Sequence, residues 1–447
     1  MFNLPAELGA LDSPVRVGII GAGFFGTKLA DQIESTTGMT VSGIADIDLE
    51  TARATYSEAG VDGPIAEASS AEGITRAIDG GDRVLTRDGL ALTGADLDVI
   101  VEATGVPDAG ARHAYRAITE GTHVVNVTVE TDTVVGPELA SLAEDHEVTY
   151  SLAYGDQPAL MVELCDWART IGLDIVAAGR GSMYVDDYRF GTPDTVFERF
   201  GYDEEFVERN GLNPRMYNSF LDGTKIAVEC CALANAVGLQ PDVPGMHLPT
   251  LEAEEIPATF RPDAAGGILD GPGVVETFSS RYPDGSTTET DLSSSVFVVT
   301  SAPNPAVRSY LDQNDGRGYH VSDDGDYTVF YRPFHIPGVE TPVSVAAAAL
   351  RNRPTGAPQH RYAEVVGAAK TDLEPGTELD GGGGYTVYGS IETADRARGR
   401  RHVPFELLEG AVITNPIDRD EVITYDDVEL EDSFIRDLRM DPASAAL

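Results

Sequence analysis

Between Val15 and Ala30 the chain reads Val-Arg-Val-Gly-Ile-Ile-Gly-Ala-Gly-Phe-Phe-Gly-Thr-Lys-Leu-Ala, a β-branched run that enters a Gly-x-Gly-x-x-Gly turn and leaves it on a helical pattern through Leu29 and Ile33. Gly21 permits the tight turn, Gly23 lets backbone approach a pyrophosphate, and Gly26 lets the helix pack on the strand. Phosphates then sit at the positive helix N-terminus, against Phe24, Phe25 and Gly26. Glycine turns are common, so the pattern alone says little. Here a second strand, from Thr40 to Ala45, ends in Asp46, twenty residues after Gly26, where a carboxylate accepts hydrogen bonds from adenosine ribose hydroxyls. Strand, turn, helix, strand and acid in register predict a dinucleotide-binding Rossmann domain over residues 1–150. Asp46 with no arginine immediately after it favours NAD over NADP, with Arg53 the nearby counter-signal.

A later strand, Leu97 to Glu102, runs into Thr104-Gly105-Val-Pro. Ligands of open parallel sheets bind beyond the carboxyl ends of strands, so Thr104 and Gly105 are expected near the nicotinamide. A helix over Ala109–Glu120 and a strand from Thr122 towards Glu130 continue the alternation. The stretch from Ile65 to Leu92 is rich in Gly and Asp and only loosely patterned; no chemistry is assigned to it.

The chain has 447 residues, with 31 Lys+Arg against 74 Asp+Glu and a formal charge of −43. Such a field repels phosphate backbones and anionic headgroups, which excludes nucleic acid and membrane surfaces as expected partners. The acids are dispersed, and lysine is nearly gone: Lys28, Lys225 and Lys370 are the three. This is the balance of proteins from salt-accumulating halophiles, where a Debye length of about 3 Å in molar salt screens self-repulsion. Each surviving lysine is therefore a candidate for a specific task. Cys165, Cys230 and Cys231 show no metal-ligand spacing and read as small buried hydrophobes in a reducing compartment. With no basic leader and no apolar run of membrane-span length, a cytoplasmic location is expected.

From Tyr150 onward the polar residues change character. Tyr154-Gly-Asp156-Gln157-Pro is a polar turn between a strand and a helix, and a strand from Asp174 ends in Gly179-Arg180-Gly181. That arginine reads either as a partner for a carboxylate or phosphate or as an ordinary surface cation. The segment Met216–Leu239 reads as one helix whose polar residues Asn218, Asp222, Lys225 and Glu229 are spaced 4, 3 and 4, on one stripe. The stripe faces either solvent or a polar cleft, since unpaired buried charge is costly. The scarcity of lysine favours the cleft, where an ammonium polarises a carbonyl or relays a proton with carboxylates tuning it.

The phrases VRVGIIGAGFFG, VVNVTVETDTVVGPELA, YSLAYGDQPALMVELCDWAR, AAGRG, FLDGTKIAVE, RPFHIPGVET and AKTDLEPGTELDGGGGYTVYG resemble, over nearly the whole chain, the homoserine-dehydrogenase-like oxidoreductases with a C-terminal SAF domain. That group includes the second, reductoisomerase-like type of deoxyxylulose-phosphate reductoisomerase (DRL type). The resemblance implies an α/β fold: an N-terminal Rossmann domain, an α+β substrate and dimerisation domain, and a small β-rich SAF (β-clip) domain. It implies that Lys225 and Asp222 match the catalytic lysine and aspartate of the dehydrogenase group. The chain departs from homoserine dehydrogenases in lacking the Asn-Lys that usually follows the strand ending at Glu130, and in an Asp–Lys spacing of three rather than four. It also carries Arg180 where the reductoisomerase-like group is expected to have lysine.

These readings give domains at 1–150, 151–361 (with a helix returning to the Rossmann domain) and 362–447. The expected function is an NAD(P)-dependent oxidoreductase, leaning to NAD, acting on a short polyhydroxylated sugar acid or sugar derivative, with skeletal isomerisation implied by the nearest family. Lys225, Asp222 and Glu229 are the catalytic candidates, and Tyr154, Gln157, Arg180 and Asn218 the candidate substrate ligands. Glu130 and Asp156 are candidates for a divalent metal, and a homodimer or homotetramer is expected. The alternatives are a homoserine dehydrogenase and a non-catalytic nicotinamide-binding sensor with an SAF module.

Overall fold

The apolar runs of the first third become the strands β1 (Val15–Ile20), β2 (Met39–Ala45), β3 (Ile65–Glu67), β4 (Arg83–Thr86), β5 (Val99–Glu102), β6 (His123–Asn126) and β7 (Tyr150–Leu152). In the computed structural model, which describes residues 3–442 and 447, they form one sheet in the order β3-β4-β2-β1-β5-β6-β7, and every pairing is parallel. Parallel strands need crossovers, and helices such as Phe24–Ser35, Pro107–Thr119 and Val129–Asp145 supply them. Strand order reverses between β1 and β5, which makes their carboxyl ends the place where such a sheet opens for a ligand. The loosely patterned stretch 65–92 is regular after all. It holds β3, β4 and the helices Ala71–Asp79 and Gly89–Thr93, capped by Ser70 and Asp88. Those caps are short polar residues that read as loop composition in a sequence.

The chain divides into two compact units: Met1–Leu160 with Ile336–Gln359 and Asp432–Leu447, and Met161–His335 with His360–Glu431. Helix Pro342–Arg351 belongs to the first unit, where Val345 and Ala346 share a core with Val17, Ile19, Leu29 and Ile44. Of the segment expected as a third domain, residues 362–431 lie in the second unit and the remainder in the first.

The second unit is built on a mixed six-stranded sheet. Its strands are β8 (Asp174–Ser182), β9 (Gln240–Pro241), β10 (Val274–Ser279), β11 (Val296–Ser301), β12 (Tyr319–Val321) and β13 (Tyr327–Arg332), in the order β12-β13-β11-β8-β10-β9. One core of this unit gathers Phe260, Phe278, Phe297 and Val329. The antiparallel pairs β14 (Ala363–Ala369) with β15 (Val387–Thr393) and β16 (Val412–Ile413) with β17 (Val428–Glu429) complete the unit. Isolated bridges such as Val366 to Pro404 and Leu373 to Ile417 cross-link this last segment.

Two local expectations change. The single helix over Met216–Leu239 is two helices, Pro214–Leu221 and Thr224–Val237, separated at Asp222-Gly223. Gly223 has φ 94°, a left-handed conformation that ends one helix and starts the next. The four-residue stripe is therefore not one continuous face. Arg180, expected on a turn, lies inside β8. Its flanking glycines serve strand packing: a Cβ at Gly179 would stand 1.7 Å from the Glu276 carbonyl oxygen, and one at Gly181 1.9 Å from that of Leu292.

Candidate active site

The first unit presents a cradle at the carboxyl ends of β1, β2 and β5. Gly21 has φ 98°, and a Cβ there would come 2.5 Å from the Ala103 carbonyl oxygen, so the turn after β1 touches the turn after β5. A Cβ at Gly26 would stand 2.0 Å from the Gly21 carbonyl oxygen, so the helix packs against the turn only because Gly26 has no side chain. Gly23 is different. It caps helix Phe24–Ser35, and a Cβ there would meet nothing within 4 Å. The first N–H groups of a helix have no intrahelical partners, so this open face suits an anion. Phe24 is exposed at the mouth, and Phe25 packs on the edge of the core.

Asp46 follows β2 and is fixed by two backbone donors: Ala22 N–H to Oδ2 at 2.7 Å and Asp48 N–H to Oδ1 at 2.8 Å. Its carboxylate keeps lone pairs for further donors. Arg53 is drawn away to Glu67 at 2.6 Å. The open Gly23, the helix N-terminus and the fixed carboxylate fit a dinucleotide.

Beside this cradle a residue not singled out in the sequence organises the expected nicotinamide loop. Glu102, the last residue of β5, is fully buried. The Thr104 hydroxyl donates to its Oε1 at 2.5 Å and the Thr128 hydroxyl to its Oε2, while Gly105 N–H donates to Thr128 Oγ1 at 3.0 Å. His113 Nδ1 lies 3.4 Å from the same carboxylate. The signal was present: an acid closing the otherwise apolar run Val99–Val101 must be hydrogen-bonded if the strand is buried. Tyr154 and Gln157 are buried in the first unit, with Tyr154 N–H donating to Ser344 Oγ at 2.8 Å and its carbonyl accepting from Thr341 at 3.0 Å. Asp156 accepts from Gln157 N–H at 3.0 Å.

In the second unit the polar residues expected around Lys225 have partners of their own. Lys225 is half-buried in the first turn of helix Thr224–Val237. Glu229 pairs with Arg180, whose guanidinium also donates to the Gly181 carbonyl, and both side chains are largely buried. That pair makes Glu229 an arginine partner, and the guanidinium keeps further N–H donors beyond these two contacts. Asn218 is fully buried, and its amide nitrogen donates to the carbonyls of Gly191 at 2.9 Å and Gly383 at 3.0 Å. Its nitrogen binds backbone, while its Oδ1 is buried without a hydrogen-bond partner among the described residues. The Asp222 carboxylate accepts from Thr224 N–H at 2.9 Å and from Lys370 Nζ at 2.7 Å. Lys370 is the residue sequence reasoning passed over, although the scarcity of lysine marked it.

The glycine run 381–384 is likewise built in. A Cβ at Gly383 would stand 1.9 Å from the Arg215 carbonyl oxygen.

Among the described residues, one group of three or more His, Cys, Asp or Glu ligand atoms lies close together: Asp242, His247 and Glu276, in the second unit. His247 Nδ1 is 2.6 Å from Glu276, and Nε2 is 3.8 Å from Asp242. The hydrogen bond to Glu276 pushes the imidazole pKa up, while burial pushes that of the Glu276 carboxyl up. Glu130 and Asp156 are not in this group. The three cysteines are buried and form no disulfide; burial pushes the Cys165 thiol up to about 12, away from thiolate chemistry. No helix among the described residues is long and apolar enough to cross a membrane.

Comparison with known proteins finds two consecutive matched stretches. Residues 18–153 match the family described as homoserine dehydrogenase, NAD binding domain. Residues 155–341 match oxidoreductase DRL, catalytic domain. No curated protein matches the chain. Among solved structures, an oxidoreductase from Agrobacterium radiobacter in complex with NAD+, L-tartaric acid and magnesium is 12% identical, with a TM-score of 0.28 over 38% of this chain and 45% of that one. The chain thus spans less than half the length of that protein. A scyllo-inositol dehydrogenase from Lactobacillus casei, with bound NAD(H) and scyllo-inositol, is 12% identical, with a TM-score of 0.35 over 65% of this chain and 74% of that one.

Proposed function

We propose that this chain is a homoserine-dehydrogenase-like, DRL-type oxidoreductase, as the matches of residues 18–153 and 155–341 support, and that it oxidises a carbinol, or reduces the matching carbonyl, of a short polyhydroxylated sugar acid or sugar derivative. The observation that carries the reading is Lys225: one of three lysines in the chain, half-buried at the head of a helix whose first turn is tied down on both sides. NAD, when bound, supplies the hydride acceptor at its nicotinamide ring. Gly23 and the head of helix Phe24–Ser35 would hold its pyrophosphate, Asp46 its adenosine ribose, and the Thr104–Gly105 loop its nicotinamide end. Asp46 with Arg53 engaged by Glu67 favours NAD over NADP.

Lys225 acts on the substrate oxygen. As the amine it takes the carbinol proton while the carbon is oxidised; as the ammonium it donates to the carbonyl oxygen in the reverse direction. Tyr154, Gln157, Arg180 and Asn218 are the proposed substrate ligands. In the finer form of this reading a skeletal isomerisation accompanies the redox step, with Glu130 and Asp156 holding a divalent ion on adjacent substrate oxygens. The bridged segment 362–431 is read as the SAF-like module and the protein as a homodimer or homotetramer, working in the cytoplasm of a high-salt cell.

The experiment is absorbance at the nicotinamide band in molar KCl, with L-homoserine, linear and branched sugar acids, and deoxyxylulose phosphate. Each is paired with NAD or NADP, with and without Mg²⁺. Turnover on a polyol acid supports the reading. Turnover on homoserine alone replaces it, and cofactor binding without any turnover leaves a sensor.

A further inference from the structure

The environment of Lys370 is unusual in every respect that the chain's composition makes visible. Of 31 basic residues only three are lysine, yet this one is buried, with 1% of its side chain exposed against 0% for its partner Asp222. An ammonium has three N–H donors and no acceptor. Here all three are used: to Asp222 Oδ2 at 2.7 Å, to the Gly384 carbonyl at 2.8 Å and to the Gly191 carbonyl at 2.9 Å. These acceptors surround a point charge, and the planar fork of an arginine does not suit such a nest. The three acceptors are 148, 14 and 179 residues from Lys370 along the chain.

What this nest controls lies on the other oxygen of Asp222. Oδ1 accepts from Thr224 N–H at 2.9 Å, across the left-handed Gly223 that separates the two helices. The Thr224 hydroxyl in turn accepts from Gly389 N–H of β15 at 2.9 Å. Lys225 is the next residue. The turn that carries it is therefore held by Lys370, which follows β14 directly, and by Gly389. Asn218 closes the same nest from the preceding helix through Gly191 and Gly383.

We propose that Lys370 is a positioning residue for Lys225: it neutralises Asp222 and locks it in the rotamer that fixes the head of helix Thr224–Val237. The C-terminal β-segment thereby sets where the Lys225 ammonium stands. The inference rests on the reading of Lys225 as the proton-handling group.

With so few lysines the test can be spectroscopic. Reductive ¹³C-methylation of the intact protein labels Lys225 and the surface Lys28, and the titration midpoint of each resonance is followed with NAD absent. The variants are Lys370→Met, which strands the Asp222 charge, and Lys370→Met with Asp222→Asn, which leaves no charge to strand and keeps the protein folded. In both variants the Lys225 midpoint is expected to move by about 0.5 unit or more, while Lys28 stays put and NAD affinity is unchanged. A Lys225 midpoint identical to that of the unmodified sequence in the folded, NAD-binding double variant overturns the proposal and leaves Lys370 a stabilising residue only. The resonance reports Lys225 whether or not it handles a proton during turnover. The proposal therefore fails separately from that reading, which Lys225→Met tests by turnover.

Discussion

The glycine turn after β1 and the glycine break before helix Thr224–Val237 both require a residue without a side chain, but they differ in where their partners come from. At the first, Gly26 packs on Gly21, five residues away, and Asp46 caps Ala22 from twenty-four residues away. At the second, Asp222 is met by Lys370 from 148 residues away, and Glu229 by Arg180 from 49. A turn whose constraints are local carries its own label. A charged stripe whose partners are distant looks the same in sequence whether it faces water, a substrate or a buried counter-ion. The difference also sets how each region breaks, because removing half of a buried ion pair is worse than crowding a turn.

The largest effect is accordingly expected at Lys370→Met. Breaking a buried pair by removing one partner costs about 3–5 kcal/mol, read by urea denaturation in molar KCl; adding Asp222→Asn recovers most of the loss. A single variant that costs less than about 1 kcal/mol would place the pair in solvent-like surroundings and undo the contrast between the two regions.

Gly26→Ala comes next. Its Cβ, 2.0 Å from the Gly21 carbonyl oxygen, forces the helix away from the turn. NAD affinity should fall by about tenfold or more, equivalent to roughly 1.4 kcal/mol, with a lower melting temperature. Gly23→Ala sharpens the comparison within the same turn. At φ −71° the backbone is ordinary, and the Cβ meets nothing. Fold stability should stay within about 0.5 kcal/mol, while calorimetric titration shows weaker NAD binding because the methyl occupies the phosphate's space.

The smallest effect is at His247. Its pKa is raised by the hydrogen bond to Glu276, so its contribution to stability is fully present below the unfolded histidine pKa and disappears as pH rises through the higher folded value. Denaturation midpoints should fall across that window, and His247→Gln should flatten the profile.

Much of the first unit was legible in sequence. β1, β2, β5 and β6 lie where their apolar runs predict, because a strand buried on both faces must be apolar throughout. The stretch 65–92 was not legible, since its short capped helices look like loop composition. In the second unit the position of Lys225 was readable but its neighbourhood was not. The spacing of Asn218, Asp222, Lys225 and Glu229 suggests one helix, while Gly223, at φ 94°, divides it in two. Arg180 between two glycines looks like a ligand-binding turn, yet its neighbours are glycine because the carbonyls of Glu276 and Leu292 leave no room for a Cβ. Lys370 and Glu102 show the remedy: a residue type that its surroundings make improbable is worth a question even before any partner is known.

The decisive experiment compares Lys225→Met with the unmodified sequence in one preparation, measuring NAD affinity by fluorescence and NADH formation on the best sugar-acid substrate of the panel. If Lys225 handles the proton, NAD affinity stays within about twofold while turnover falls by about 100-fold or more. Turnover retained within tenfold, with the cofactor bound as before, would remove Lys225 from the chemistry and leave its turn a structural element alone.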